Sequence, residues 1–540
     1  MTSWFARLFP GLALKREIRL RQLELLGSGK RSIEAISGSR TRKDFLTTSE
    51  SPDAAIAGSI DTLRKHVRQL EYNNGYVSGP IRRIANNTVG HGIRFQSRLR
   101  SDDKGIVPKI NQTMADRFNA EMERSFKFWA KKADLRLMFD FYELQHQVEM
   151  ALLRDNEVLV IGRNSKRRDR LIPYCLEVLE ADRLSTPMGE IHNPKIRHGI
   201  EYDDEGVPAY YFVLKVHPGE TLSTARKRDE YEQVPAYNPN GTKKVLHLFN
   251  PMRPEQTRGL SFWSSGLKDM QDLDRYMEAE KLAALEAACL TGAIKTEAPQ
   301  EWQGNYTNAS DSDDYDRIHE FAPGMMHYLR PGESLEVFNP ARPNSAFGDY
   351  VAQLLRGVAS ALDIPPELLT QDWHGMNYSN ARTVLLQFYL PCRIRQAYLS
   401  FHLNEPVYQN VMNALVAKGR IQAPNFFARL DDYLYASGWI PPGWQWVDPV
   451  KEAQGKQIEV DNDFDTLASI AASKGVDWEE NIEQRARELQ FKQRMEEKYD
   501  IKFPAKGSGG SPTEQEPEEG DEDEDESESK SKSILSVIRN

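Results

Sequence analysis

Apolar side chains recur every three or four positions through most of the chain, and a central block breaks that rule with short strand-like runs. Ile60, Leu63, Val67 and Leu70 keep helical spacing within residues 50–100, and a second helical segment covers 77–89. Gly90-His91-Gly92 then breaks into a strand near Ile93, Arg94 and Phe95. Two amphipathic helices are predicted over 114–130 and 137–156. Strands follow at 157–163, 174–179, 200–202, 210–216 and 244–249, with a turn at Gly206-Val207-Pro208. A long helix is predicted over 266–290, with Leu267, Met270, Leu273, Met277, Ala284 and Ala287 on one face. Ser264 or Ser265 can cap its start and Gly292 can end it. Residues 301–316 are polar and turn-rich, and strand-like pieces fall at 324–329 and 335–338. A helix over 347–362 must stop at Pro365-Pro366, because proline lacks a donor and clashes with the preceding turn. After a loop centred on Trp373-His374-Gly375-Met376, a long helical pattern spans 381–418 and closes at Gly419. Pro391 and Pro406 should kink or segment it. A last helical part covers 450–499.

A length of 540 residues leaves room for two to four domains with ample core. No run of about 18 or more apolar residues occurs, so no membrane span is expected. The start, MTSWFARLFPGLALKREIRL, has an apolar patch, but Arg7 interrupts it and no small-residue cleavage site follows. It reads as a short amphipathic helix rather than a signal peptide or a membrane contact. Cys175, Cys289 and Cys392 are far apart and lack metal-ligand spacing, which reads as buried thiols in a reducing cytoplasm. The net charge of −10 is concentrated at one end: residues 506–540 hold 11 acidic and 4 basic residues, a net −7, leaving −3 for the rest. That tail is expected to be disordered, with SILSVIRN as its frayed end or a docking peptide. The near-neutral body argues against a protein that grips phosphates by bulk charge.

The usual catalytic signatures are missing. Gly27-Ser28-Gly29-Lys30-Arg31-Ser32 imitates a phosphate loop, but Glu24 stands at the first glycine position and Arg31 follows the lysine. No GxSxG elbow, HExxH pair or spaced metal-binding carboxylates occur. His247, inside the apolar run VLHLF, reads as a satisfied core histidine. Asp203-Asp204 and Asp431-Asp432 read as solvated turns.

A set of short segments carries more information than any of these. In order they are Asn74-Gly75-Tyr76-Val77-Ser78-Gly79-Pro80-Ile81 with Arg83 to Ile93, Arg154-Asp155-Asn156-Glu157-Val158, Leu179-Glu180-Ala181-Asp182-Arg183-Leu184, and His198-Gly199-Ile200-Glu201-Tyr202-Asp203 with Pro208-Ala209-Tyr210. Then come His247-Leu248-Phe249, Arg253-Pro254-Glu255-Gln256-Thr257-Arg258-Gly259, Pro323-Gly324, Leu329-Arg330-Pro331-Gly332-Glu333, Asn377-Tyr378-Ser379-Asn380-Ala381-Arg382 and Val447-Asp448-Pro449-Val450-Lys451-Glu452. Their order resembles that of the lambda-type bacteriophage portal family over roughly residues 55–490, with Asn380 where the family usually has a second serine. The acidic tail lies outside the resemblance.

The resemblance implies a mainly helical α+β portal fold with wing, stem, clip and crown regions, assembling as a ring of about twelve copies. It implies an N-terminal arm over 1–50, a wing over 51–258, a stem helix over 259–290, a clip over 291–345 and a second stem helix over 346–370. A tunnel loop over 371–380, a long wing helix with its following segment over 381–449, a crown over 450–500 and the tail over 501–540 complete it. The implied partners are other copies of the chain, double-stranded DNA in the channel, the terminase large subunit, the major capsid protein, a head-completion or tail connector protein and a scaffold protein, with no membrane. The implied place is the capsid portal vertex of the virion, after assembly in the host cytoplasm. No cofactor and no enzymatic activity is implied. A nuclease-type packaging enzyme and a generic capsid scaffold stand as the alternatives.

Two sites follow from the resemblance. Asp269, Asp272, Asp274, Glu278, Glu280 and Glu286 outnumber Lys268, Arg275 and Lys281 on the stem helix. They fit either an acidic bore that passes DNA without holding it or a solvated outer face with i,i+4 pairs. The loop Trp373, His374, Gly375, Met376, Asn377 and Tyr378 either faces DNA, with Gly375 supplying freedom, or is anchored by a buried Trp373.

Overall fold

The computed structural model describes residues 50–101, 110–220, 230–289, 293–296, 333–336, 347–444 and 449–500. The chain divides into two compact units between Pro449 and Val450. In the first, α1 (Pro52–Ala57) leads into α2 (Ile60–Asn73) and α3 (Gly75–Thr88). Asn74 separates the last two: its extended backbone stops α2, and its side chain accepts from the Tyr76 N–H at 2.8 Å to start α3. β1 (Arg94–Ser97) and α4 (Gln112–Ala130), capped by Asn111, come next. α5 (Phe141–Asp155) starts later than its periodicity suggests, because Asp140 and Glu143 form a reciprocal capping box there. Leu137 stands before it with φ 60, outside the helical region.

The strand block is β2 (Glu157–Asn164), β3 (Tyr174–Glu180), β4 (Ile196–Arg197), β5 (Ile200–Tyr202), β6 (Pro208–Leu214), β7 (Tyr231–Pro235) and β8 (Val245–Phe249). They make two antiparallel sheets, β3-β2-β8 and β4-β5-β6-β7. β4 and β7 add to the predicted strands. The β5–β6 connection is a tight turn in which Asp203 and Val207 bond through their backbones at 2.9 Å, with Gly206 at φ 82. Side-chain alternation gives the three-stranded sheet two buried faces. Val158, Val160, Leu246 and Leu248 meet Phe126, Trp129, Phe141 and Val148 of α4 and α5. Leu159, Ile161, Leu179 and Val245 meet Ile200, Tyr211, Val213 and Val234 of the other sheet. Each such aliphatic side chain contributes about 1.5–3 kcal/mol by leaving water.

A third cluster gathers helices. α6 (Leu267–Cys289) and α7 (Phe347–Ala361) pack on α2 and α3, and between them in sequence β9 (Ala293–Thr296) pairs with β10 (Glu333–Glu336). α8 (Pro366–Thr370) has Pro366 in its first turn, and α9 (Tyr378–Leu399) follows. The single pattern over 381–418 is two helices. A π-helical segment, Ser400–Asn404, joins α9 to α10 (Glu405–Ala417). Pro406 follows directly on the π-helical segment, whose helical backbone runs on through Asn404 and Glu405 into α10, while Pro391 lies inside α9. Gly419, at φ 64, closes α10 as the sequence requires. α11 (Leu430–Leu434) precedes β11 (Ser437–Ile440), which pairs with β1. The second unit holds α12 (Pro449–Asp461) from Val450 onward, α13 (Leu467–Ser473) and α14 (Trp478–Tyr499), the last two capped by Thr466 and Asp477. Among the described residues no helix is long and apolar enough to cross a membrane. The N-terminal apolar patch, the Gly27 to Ser32 run, Gly292, the pieces at 301–316 and 324–329 and the acidic tail lie outside the described residues.

Candidate functional site

Five of the sequence segments singled out above meet at one buried ionic node. Its centre is Glu157, the first residue of β2, which is fully buried. Arg64 of α2 and Arg258 donate to its carboxylate, and His247 Nε2 of β8 reaches it at 2.7 Å. Burial alone would push this carboxyl up, but the Arg258 charge, the His247 hydrogen bond and Arg64 outweigh it and hold the pKa at about 2. Burial pushes His247 below the usual histidine value despite Glu157, so the ring is a neutral donor, a satisfied core histidine. Arg258 turns its remaining donors to the carbonyls of Ala181, Leu184 and His198 at 3.0, 3.2 and 3.1 Å.

A second layer surrounds the first. Arg68 grips Asp155 at 3.2 and 2.7 Å and reaches Asp182 at 2.5 Å, and Arg154 holds Glu71 at 2.9 Å. Arg64, Arg68 and Glu71 are spaced i, i+4 and i+7, so one face of α2 clamps the end of α5 and the start of β2. The apolar pattern of α2 alone does not single them out. Their signal is a charged stripe displaced by one residue from the apolar stripe Leu63, Val67 and Leu70.

The node fixes the segment that leads into α6. Asn156, left-handed at φ 55, donates from Nδ2 to the carbonyls of Asn250 and Leu260, both at 2.9 Å. Ser261 Oγ donates to the Arg154 carbonyl at 2.7 Å, and Thr257 donates to Asp53 from its N–H at 2.8 Å. A Cβ at Gly259 would lie 2.1 Å from the Asn156 oxygen, so this approach requires glycine. Beyond it Trp263, Leu267, Met270 and Leu273 enter the helical core. Across the two layers the arginines Arg64, Arg68, Arg154 and Arg258 are matched by Glu71, Asp155, Glu157 and Asp182, and the node holds the foot of α6.

The predicted acidic residues do not share one side of α6. At 100° per residue, Asp269 and Glu280 fall on one flank, Asp274 and Glu278 on the other, and Asp272 opposite the core. Asp274 accepts from Asn74 Nδ2 at 3.2 Å, Asp272 and Glu278 are exposed, and the Glu286 side chain lies outside the described residues. Ser265 Oγ donates to the Ala361 carbonyl at 3.5 Å. In the 371–380 loop Trp373 is half-buried against the helical core, while His374 and Gly375 are exposed and Met376 is half-buried. Asp372 accepts from the His374 N–H at 3.0 Å, and Gly375 takes φ 74. Asn377 caps α9 by accepting from the Asn380 N–H at 2.9 Å, so Tyr378, Ser379, Asn380, Ala381 and Arg382 form its first turns.

Among the described residues, Glu180, Asp182 and His217 bring ligand atoms within 4.8 Å of one another. Arg68 already pairs with both carboxylates, which accounts for the cluster. Cys175 and Cys392 are buried free thiols, and burial pushes Cys392 up to about 12.

A family model described as phage portal protein, lambda family, matches residues 38–396. The probable portal protein of Halomonas phage phiHAP-1 is 28% identical over 437 residues, covering 79% of this chain and 79% of the relative. Portal protein B of Escherichia phage lambda is 22% identical over 474 residues, covering 82% and 85%. A chain from the virion of a native gene transfer agent particle is similar at a TM-score of 0.42 and 16% identity, over 79% of this chain and 98% of that one.

Proposed function

The chain belongs to the lambda family of phage portal proteins, and from that premise we propose that about twelve copies form a ring at a unique capsid vertex. Double-stranded DNA is packaged and ejected through its bore. Residues 51–258 are the wing, 259–290 and 346–370 the paired stem helices, 291–345 the clip, 371–380 the tunnel loop, 381–449 the long wing helix and following segment, and 450–500 the crown. The terminase large subunit docks on the clip, capsid protein surrounds the wing, and a tail connector and a scaffold protein complete the contacts. The subunit works without a cofactor or chemistry of its own, in the virion after assembly in the host cytoplasm.

The observation that carries this reading is the convergence of the family-like segments on the node around Glu157, at the foot of α6. A helix that must line a channel needs a rigid base. Asp272, opposite the core, faces the bore and repels phosphate, so DNA slides without being held. The exposed tip at His374 and Gly375, anchored by Trp373, reaches toward the DNA. Negative-stain electron microscopy of the purified full chain tests the reading: annuli with a central hole are expected, and only monomers and dimers across concentration and salt would refute it.

A further inference from the structure

Helix α9 is apolar on the side that faces its own core and also on a side that does not. Phe388, Cys392 and Leu399 are buried, whereas Leu386, Leu390 and Ile394 are 47%, 61% and 65% exposed. At 100° per residue those three share one stripe with Ala397, and Phe401, 69% exposed, extends it past the helix end, so the stripe runs roughly 20 Å. A helix that is apolar all round belongs inside an assembly. Residues 378–399 contain Arg382, Arg393 and Arg395 and no acid; Arg395 is held by Glu149 within the chain, while Arg393 is exposed.

The complementary surface is on α6. Tyr276 already meets the first turn of α7, with ring centroids 5.7 Å from Phe347 and 5.0 Å from Tyr350. The turns beyond Tyr276 therefore continue past α7. There Glu278, Leu282 and Leu285, spaced i, i+4 and i+7, form one exposed face, with the leucines 57% and 62% exposed. Over residues 266–290 the helix carries six acids against three bases.

We infer that α9 of one copy docks on α6 of the next, seating Leu386, Leu390 and Ile394 on Leu282 and Leu285 and bringing Arg393 to Glu278. The inference rests on the ring reading above and names its subunit contact. Arg393 is held ready: its guanidinium lies 5.5 Å over the Trp444 ring, which stacks on Tyr389 at 4.4 Å. The two patches differ, so each copy offers one to each neighbour, the head-to-tail arrangement that closes into rings.

The test uses the full chain with Cys289→Ser throughout. Leu285→Cys and Ile394→Cys are combined, oxidised and run on a non-reducing gel. A ladder of cross-linked oligomers is expected from the double variant and not from either single one. Rings in the microscope without a ladder, or a cross-link confined to single chains, overturn the contact. Arg393→Glu should lower the ring fraction at least tenfold, and Glu278→Arg in the same chain should restore it; loss without restoration also overturns the contact. Wild-type protein that never forms rings overturns the ring reading itself, which separates the two failures.

Discussion

Replacing Glu157 by glutamine removes the one negative charge between Arg64, Arg258 and a neutral His247 without changing side-chain volume. The structure gives the cost by two routes. The carboxyl is held at about 2 instead of 4.5, a difference worth on the order of 3 kcal/mol. Breaking one partner of a buried ion pair costs about 3–5 kcal/mol. The routes agree, so Glu157→Gln should destabilise the first unit by about 3 kcal/mol at neutral pH. The pH dependence has a definite sign. A carboxyl whose folded pKa is depressed contributes stability above its unfolded value and loses it as pH falls through the folded value. The difference between wild type and Glu157→Gln should therefore shrink between pH 4.5 and about 2, as the wild-type carboxyl becomes neutral too. Denaturant unfolding at stepped pH measures it, with hydrogen exchange of peptides from β2 and β8 as the local readout. Arg117→Ala, which breaks an exposed pair with Glu121, is the control and should cost less than 1 kcal/mol. A neutral-pH cost as small as the control's, or one that does not change with pH, would refute the reasoning.

Two further outcomes follow from local geometry. Gly259→Ala puts a methyl group 2.1 Å from the Asn156 oxygen, so it should lower the melting temperature well beyond an exposed Gly→Ala change such as Gly348→Ala; equal melting temperatures would show that the segment can yield. Asn377→Ala removes the cap of α9 and should cost about 1 kcal/mol, read as roughly fivefold faster exchange at Asn380 and its neighbours.

Local order was legible in the sequence and long-range pairing was not. The periodicity of α4 and of α7, the stop at Pro365-Pro366 and the closure at Gly419 are short-range effects, and each is present. The start of α5 departs from its periodicity because a capping box overrides the apolar pattern before it. β7 leaves little trace in the sequence because only Tyr231 and Val234 of YEQVP carry a strand signal. His247 read correctly as a satisfied core residue, but its partner did not show. Glu157, Arg64 and Arg258 stand 93 and 101 positions apart along the chain, and nothing local marks a buried carboxylate. A count of the acids of α6 does not place them, since composition ignores the rotation that sends Asp269 and Asp274 to opposite flanks.

The tight turn between β5 and β6 has a practical consequence. Asp203 ties the turn to Val207, while Asp204, Glu205 and Gly206 stand exposed and make no contact with the node. A short epitope or a fluorescent label inserted after Glu205 would lengthen a hairpin tip and leave both sheets intact. Such a tag would let individual subunits be counted by stepwise photobleaching in a working particle.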